Sequence, residues 1–164
     1  MALLATSTKT PIGNLYLISD EHILLGANFS GFDSLAQALE SALAQQVINR
    51  VKQIPVISDL LEDYFDGDVE AINAISVRQP GASFSQASWK AMRKVKAGKM
   101  LSYADLAQRA GSPAAVRAAG SACAKNAIVI VVPCHRIVKT GGALGNYAYG
   151  LDAKEWLLRH EGAL

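Results

Sequence analysis

A cysteine and a histidine stand side by side in the second half of the chain, in the order Pro133-Cys134-His135-Arg136. A free thiol has a pKa of about 8.5, and a positioned imidazole or a nearby cation would increase its thiolate fraction at neutral pH. Neighbouring side chains on an extended strand point to opposite faces, so the two groups can cooperate only if Pro133 begins a turn. The pair is therefore either a nucleophilic site or a buried thiol that serves only as packing.

The segments on either side of this pair would position the thiol. Residues 127–133 form a continuous apolar run, which predicts a buried strand that ends at Cys134. Earlier, residues 85–97 place Trp89, Met92 and Val95 on one side of a predicted amphipathic helix, with Gly98 as its stop. A further helix is predicted from the capping-box form of 152–155, and it would end near residue 161, just before Gly162.

Two short helices with a tight connection are predicted over about residues 103–125. Residues 102–105 have the form of a capping box, Gly111 can end the first helix, and Ser112-Pro113 can open the second. Together they predict a helix-turn-helix, an arrangement that is also common in ordinary helical cores.

The second of these helices is rich in alanine, and Arg117 is its one long side chain before Lys125. A helix that reads bases in the major groove needs several long polar side chains, so a sequence-reading transcription factor is disfavoured. Small residues suit the narrow minor groove, where one arginine could fill the gap left by a displaced nucleotide. The alternative is an Ala-rich core helix with Arg117 in solvent.

The first half shows a different pattern. Three strands of an antiparallel meander are predicted within the first thirty residues, which are punctuated by Pro11-Ile12-Gly13 and by Asp20-Glu21. Apolar residues at four-residue spacing from Leu35 to Val51 predict one helix over 33–52, and a second helix is predicted around 56–65. Little periodicity follows until Phe84, so the predicted lobes are 1–80 and 81–164.

Charge divides at the same place. Residues 1–83 carry a formal charge of −6 and residues 84–164 a charge of +8, within a total of +2. The second half is therefore suited to a polyanion, unless its lysines and arginines are simply a solvated surface. No run approaches the roughly 18 apolar residues of a membrane span, and the opening lacks the form of a secretory signal. We expect a soluble cytoplasmic protein with reduced thiols, no membrane contact and no metal or cofactor.

The ordered motifs of the second half resemble the O6-alkylguanine-DNA alkyltransferases, also called methylated-DNA-protein-cysteine methyltransferases. The resemblance runs from Phe84 through Gly162, and the first half matches mainly at its Pro11-Ile12-Gly13 turn. It implies an α/β (α+β) fold: an N-terminal RNase H-like lobe with a small antiparallel sheet, and a mainly helical winged helix-turn-helix lobe that carries the cysteine. The residues that carry the resemblance are Trp89, Ser102, Tyr103, Arg117, Asn126, 133–136, 145–147 and 154–162.

By this resemblance the protein repairs duplex DNA by one irreversible transfer of an alkyl group from O6-alkylguanine. The sequence leaves open whether O4-alkylthymine is also repaired, and we expect a monomer in solution. Cys134 would accept the alkyl group, His135 would activate it through a water molecule, and Glu161 would orient the histidine. Tyr103 would rotate the neighbouring phosphate and protonate the leaving base. The other implied residues are Arg117, Ala115 and Ser121 on DNA, Asn126 as the hinge to the reactive segment, and Ile137, Leu144, Gly145, Asn146, Tyr147 and Ala148 around the guanine.

The chain departs from the family pattern at three positions. Ala127 follows the hinge asparagine where proline is usual, Ala148 replaces a common serine, and Tyr149 stands where glycine is frequent. We expect the bulk of Tyr149 to narrow the pocket against large adducts such as benzyl. Cys123 is expected to be small-residue packing, with a second reactive thiol as the alternative.

Two other functions remain open. Alkyltransferase-like proteins bind O6-alkylguanine without reacting, but they replace the cysteine that this chain keeps. A Cys-His hydrolase would need an oxyanion hole and would leave the basic helix-turn-helix without a purpose.

Overall fold

The computed structural model describes residues 2–164, which divide into two compact units. The first unit extends to Pro80 and also contains residues 127–131, while the second contains 81–126 and 132–164. The prediction assigned 127–131 to the second lobe. Those residues belong to the first unit because Ala27 N–H donates to Ala127 O at 2.9 Å and Val129 N–H donates to Ala27 O at 3.1 Å.

The first unit is built on a five-stranded sheet. The predicted meander is confirmed as β1 (Leu3–Thr10), β2 (Gly13–Ser19) and β3 (Ile23–Asn28), paired antiparallel. Two short strands, β4 (Ile48–Arg50) and β5 (Ser76–Val77), add parallel edges beside β1 and β3. The sheet order is β4-β1-β2-β3-β5, so the sheet is mixed rather than purely antiparallel.

The helix predicted over 33–52 is wrong. The structure has two short helices there, α1 (Phe32–Gln37) and α2 (Ser41–Ala44), and then β4. Only Leu35 of the predicted apolar stripe is fully buried, while Val47 is 68% exposed. Pairing of β4 with β1 satisfies backbone groups at the sheet edge, and this long-range contact overrides the local helical spacing.

The next segment follows the prediction closely. Helix α3 (Ile57–Phe65) occupies the predicted 56–65 span, and Gly67 follows it with a φ of 118°. Its apolar side carries Ile57, Leu61 and Tyr64, all buried. A 3₁₀ turn over Ala71–Ala74 then leads to β5.

The second unit is mainly helical. It contains α4 (Ser83–Arg93), α5 (Tyr103–Arg109), α6 (Val116–Lys125) and α7 (Leu151–His160), with a two-stranded parallel sheet of β6 (Leu101–Ser102) and β7 (Ile137–Val138). Helix α4 ends earlier than the predicted 97, but Trp89, Met92 and Val95 are buried as expected. Trp89 Nε1 donates to Ala122 O at 2.9 Å and so joins α4 to α6.

The helix ends test the predicted caps. Ser102 Oγ accepts a 3.0 Å hydrogen bond from Asp105 N–H, as predicted. Ser112 does not cap α6; its carbonyl closes a turn with Ala115 N–H, and the helix begins at Val116. Likewise, α7 begins after Gly150, so Asp152 lies inside its first turn instead of capping it.

Residues 128–133 are buried and Ala127 is half-buried, but the segment is not a regular strand. Beyond an isolated bridge between Ala27 and Ile128, Val131 N–H donates to Val129 O at 2.8 Å, which makes a γ-turn centred on Ile130 with a φ of 72°. A continuous apolar run in a sequence predicts burial, but it does not predict whether the segment pairs with another strand. Within residues 2–164, no helix has the length and apolarity needed to cross a membrane.

Candidate active site

A tight turn at Pro133 positions Cys134. Pro133 has a φ of −85° and a ψ of 66°, and Cys134 N–H donates to Val132 O at 2.9 Å. Cys134, His135 and Arg136 then form one 3₁₀ turn, closed by Arg136 N–H donating to Pro133 O at 3.0 Å. The turn that cooperation of the thiol and imidazole requires is therefore present at Pro133.

The thiol of Cys134 is buried beside the side chain of Asn126. Asn126 Nδ2 donates to Val132 O at 2.8 Å and to Cys134 Sγ at 3.3 Å, so this amide joins the end of α6 to the reactive turn. Burial raises the pKa of the thiol, and the Asn126 hydrogen bond and the Lys154 charge oppose that rise without cancelling it. The expected gain in thiolate is thus outweighed by burial, and the thiol needs a base to remove its proton.

His135, Arg136 and Glu161 form a buried hydrogen-bonded group, which we call the buried triad. His135 Nε2 lies 2.8 Å from Glu161 Oε2, and Arg136 meets the same carboxylate through Nε at 2.9 Å and Nη2 at 2.9 Å. Arg136 Nη1 also donates to Val95 O at 2.7 Å. A bidentate arginine contact fixes the plane of a carboxylate, so Glu161 has one orientation towards the histidine.

The charges of the buried triad decide the state of His135. Burial alone raises the pKa of Glu161, but His135 and Arg136 together hold it well below its usual range. Burial lowers the pKa of His135, and Glu161 opposes this effect only in part, so the pKa stays below its usual value. A neutral His135 beside an ionised Glu161 carries its proton on Nε2, which leaves Nδ1 as a hydrogen-bond acceptor.

Glu161 owes its place to the end of α7. Gly162, with a φ of 82°, donates its N–H to Arg159 O at 3.0 Å, and Ala163 N–H donates to Leu158 O at 2.8 Å. These two bonds form a Schellman motif, the glycine stop that the sequence predicted. A side chain on Gly98 would lie 3.2 Å from Glu161 O, so a residue without a Cβ lets the two segments meet.

Lys154 is a site residue that sequence reasoning missed. Its side chain is fully buried, and Nζ donates to Ile137 O at 2.6 Å and to Asn146 O at 3.1 Å. Burial lowers the pKa of Lys154, which lies in electrostatic contact with Cys123 and Cys134. A signal was available, because Lys154 occupies the same helical stripe as Leu157, Leu158 and Glu161 at the i, i+3, i+4, i+7 spacing of a buried face.

Backbone hydrogen bonds of Asn146 hold the loop that is predicted to surround the guanine. The Asn146 carbonyl accepts a 3.1 Å hydrogen bond from Lys154 Nζ, and the Asn146 backbone is also hydrogen-bonded to Tyr103. Burial raises the pKa of the Tyr103 phenol in spite of this bond. Gly145 adopts a φ of 79°, and a Cβ there would lie 2.9 Å from the Tyr103 hydroxyl. The structure therefore brings Tyr103, Gly145 and Asn146 together.

The remaining predicted pocket residues differ in exposure. Leu144 and Tyr147 are half-buried, Ala148 is exposed, and Ile137 is fully buried with its carbonyl engaged by Lys154. Tyr147 packs edge-to-face against Tyr149, with ring centroids 5.8 Å apart.

The predicted DNA-contacting residues lie on and just before α6. Arg117 and Ser121 are exposed and Ala115 is half-exposed. A Cβ on Gly120 would meet no atom within 4 Å, so this side of the helix is open. Cys123, on the same helix, has a thiol pKa raised by burial to about 12, which suits packing better than reactivity.

Known proteins that are similar to this chain define its class and its family. The model for the DNA-binding domain of 6-O-methylguanine DNA methyltransferase matches residues 83–163, which defines a DNA-binding lobe. A methylated-DNA-protein-cysteine methyltransferase of Salmonella typhimurium is 38% identical and covers 100% of this chain and 98% of its own length. The protein of that name from Homo sapiens is 37% identical over 96% of this chain and 79% of its own length.

Solved structures agree with these relatives. The O6-methylguanine methyltransferase of Mycobacterium tuberculosis matches with a TM-score of 0.77 at 29% identity, covering 98% of this chain and 93% of that one. Its structure in complex with DNA matches with a TM-score of 0.78 at 28% identity over 96% and 92%. This chain belongs to the methylated-DNA-protein-cysteine methyltransferase family, and its mixed α/β fold is the fold of that family.

Proposed function

We propose that this protein repairs duplex DNA by moving an alkyl group from the O6 oxygen of a flipped-out guanine to Cys134 Sγ, once per molecule. The observation that carries the proposal is that Cys134 accepts a hydrogen bond from the Asn126 amide and shares one 3₁₀ turn with His135 and Arg136 of the buried triad. A thiol that merely fills a core does not need a hydrogen-bond donor on its sulfur or an oriented base in the same turn.

The chemical step begins with the Cys134 proton. It passes through a water molecule to His135 Nδ1, while Glu161 stabilises the imidazolium that forms. The sulfur lone pair then attacks the alkyl carbon; an S–C bond forms, the C–O6 bond breaks and its electron pair stays on O6. The Tyr103 hydroxyl gives its proton to the base, which becomes neutral guanine, and the phenolate then regains a proton from solvent. The thioether has no route back to a thiol.

Tyr103 is placed to assist the leaving base. Because its oxygen takes part in the hydrogen bond from the Asn146 backbone, its own O–H is free to point at the base. The raised pKa keeps the phenol protonated at neutral pH, so it is a donor there. Asn146 and Lys154 hold the facing loop, which makes the pocket preorganised.

Recognition is assigned to the open face of α6, defined as Ala115, Arg117, Gly120 and Ser121. Its small residues allow close approach in a minor groove, and Arg117 would occupy the space of the flipped nucleotide. The proposed partner is duplex DNA that contains O6-alkylguanine, with O4-alkylthymine as a second lesion, bound by a monomer.

Intact-mass measurement after mixing with a duplex that contains one O6-methylguanine tests this function. We expect one methyl group per protein, located on the peptide with Cys134, and no transfer by Cys134→Ser. Cys123→Ser is the matched control and should react as the parent protein does. Tight binding of the damaged duplex without any mass change would favour a non-reactive alkylated-DNA-binding protein, and repeated turnover would exclude the single-use mechanism.

A further inference from the structure

Three buried side-chain atoms in the second unit have no hydrogen-bond partner among residues 2–164: Ser88 Oγ on α4, His135 Nδ1 and the Tyr147 hydroxyl. Burying a polar atom without a partner costs free energy, so such atoms in a native protein need an explanation. His135 Nδ1 is already the proposed base. Of the two hydroxyls, that of Tyr147 is in electrostatic contact with Cys134, so it is the one that can take part in the reaction.

The surroundings of Tyr147 point to the same centre. Its hydroxyl is in electrostatic contact with Cys134 and Glu161, and Tyr149 fixes its ring edge-to-face at an interplanar angle of 74°. Burial raises the pKa of Tyr147 well above its usual value, and Cys134, Tyr149 and Glu161 raise it further. The phenol therefore stays neutral and offers one O–H donor beside a group of acceptors.

The hydrogen-bonding capacities of these groups match those of one water molecule. Nδ1 of the tautomer fixed by Glu161 accepts, the Cys134 thiol donates, and the Tyr147 phenol donates. A water molecule can donate to Nδ1 while it accepts from both the thiol and the phenol, and a buried water usually has about three such bonds. Without the phenol, this water would lose one of three partners.

We propose that Tyr147 is a positioning residue for proton transfer from Cys134 to His135, its hydroxyl donating to the water molecule that connects the sulfur with Nδ1. The inference rests on the proposed function. The thiol proton moves to the water as a water proton moves to Nδ1, so the water is regenerated and Tyr147 keeps its own proton. Glu161, Arg136 and Lys154 are the charged groups around this path, and each keeps its charge during the step.

The test compares Tyr147→Phe with Tyr16→Phe on β2 of the first unit, each of which removes one hydroxyl and keeps an edge-to-face ring pair. Single-turnover methyl transfer from an O6-methylguanine duplex is measured from about pH 5.5 to 9. We expect Tyr147→Phe to be about tenfold slower at neutral pH, with its acid limb moved to higher pH because the proton is harder to remove. Tyr16→Phe should retain the parent rate and pH profile.

Three results would overturn the inference. A Tyr147→Phe rate and pH profile equal to those of the parent would show that the hydroxyl has no part in proton transfer. Equal slowing in both variants with unchanged pH profiles would assign the effect to the general loss of a tyrosine hydroxyl and not to proton transfer. A higher Tm for Tyr147→Phe at an unchanged rate would show that the hydroxyl is simply an unpartnered polar group. Failure of the parent protein to take up methyl would instead refute the proposed function.

Discussion

The buried triad and the open face of α6 lie in the same unit but differ in burial and in hydrogen bonding. In the triad the three side chains are joined by hydrogen bonds of 2.8–2.9 Å, and each side chain is at most 2% exposed. The open face of α6 has small residues, the exposed side chain of Arg117 and empty space beside Gly120. The proposed function therefore assigns chemistry to the region whose geometry is fixed before DNA arrives, and recognition to the region whose surface is accessible.

The difference predicts how each region responds to substitution. In a low-dielectric interior, paired charges interact strongly and an unpaired one is costly, so changes in the triad should damage stability and chemistry together. On an exposed face the side chains make few contacts within the protein, so changes there should affect DNA alone.

The largest effect is expected from Arg136→Met. Removing the guanidinium leaves Glu161 buried without its bidentate partner and Val95 O without its donor, so we expect a loss of about 3–5 kcal/mol in the free energy of unfolding. The matched control is Arg159→Met on α7, which removes an exposed pair with Glu155 and should cost less than about 1 kcal/mol. Urea denaturation measures both, and similar losses in the two variants would contradict the contrast between buried and exposed charge.

The parts of the fold that sequence predicted well have local causes. Alternation and turn residues were sufficient for β1 to β3, Ser102 capped α5 as its type and spacing suggested, and Gly162 ended α7. Each of these signals acts within a few residues of the chain. The proline turn before Cys134 belongs with them, since its backbone restriction is a property of the residue itself.

The parts that sequence missed depend on distant partners. Residues 48–50 became an edge strand because β1 was beside them, and residues 127–131 joined the first unit through hydrogen bonds with Ala27. Lys154 and Arg136 are charged residues whose burial is possible only because carbonyls and a carboxylate from other segments meet them. No local pattern specifies those partners, although a lysine in an apolar helical stripe signals that one exists.

The open face of α6 should respond to Arg117→Ala in binding and rate but not in stability. If Arg117 occupies the space of the flipped nucleotide, transfer from duplex DNA should slow about tenfold to a hundredfold, or roughly 1.4–2.8 kcal/mol. Reaction with free O6-benzylguanine, which needs no flipping, should be unchanged, and the unfolding free energy should stay within about 0.5 kcal/mol. Arg109→Ala, an exposed arginine on α5, is the control for charge alone; equal slowing in both would reduce Arg117 to a phosphate contact.

The triad also predicts acid sensitivity. Because burial lowers the pKa of His135, the unfolded chain binds a proton below about pH 6.5 where the folded protein does not, so stability should fall as pH drops through that range. Glu161, whose pKa is held low, adds a second loss below about pH 4.3. The free energy of unfolding, measured by urea titration at several pH values, should fall by about 1 kcal/mol between pH 7.5 and pH 5. In His135→Gln the free energy of unfolding should depend less on pH. A stability that is constant over this interval would mean that His135 titrates normally in the fold.

The smallest effect is expected at Tyr149, where the pocket loop departs from the usual glycine. Its ring packs on Tyr147, and an edge-to-face pair contributes about 0.5–1.5 kcal/mol, so it should hold the Tyr147 ring close to the alkyl site. Removing the ring in Tyr149→Ala should raise the rate with O6-benzylguanine DNA a few-fold relative to O6-methylguanine DNA, whereas Tyr149→Phe should leave the ratio unchanged. Competition between the two duplexes for one equivalent of protein measures the ratio directly. Equal rates for methyl and benzyl in the parent protein would show that Tyr149 does not restrict the pocket. The fixed geometry of the buried triad would then not extend to this loop.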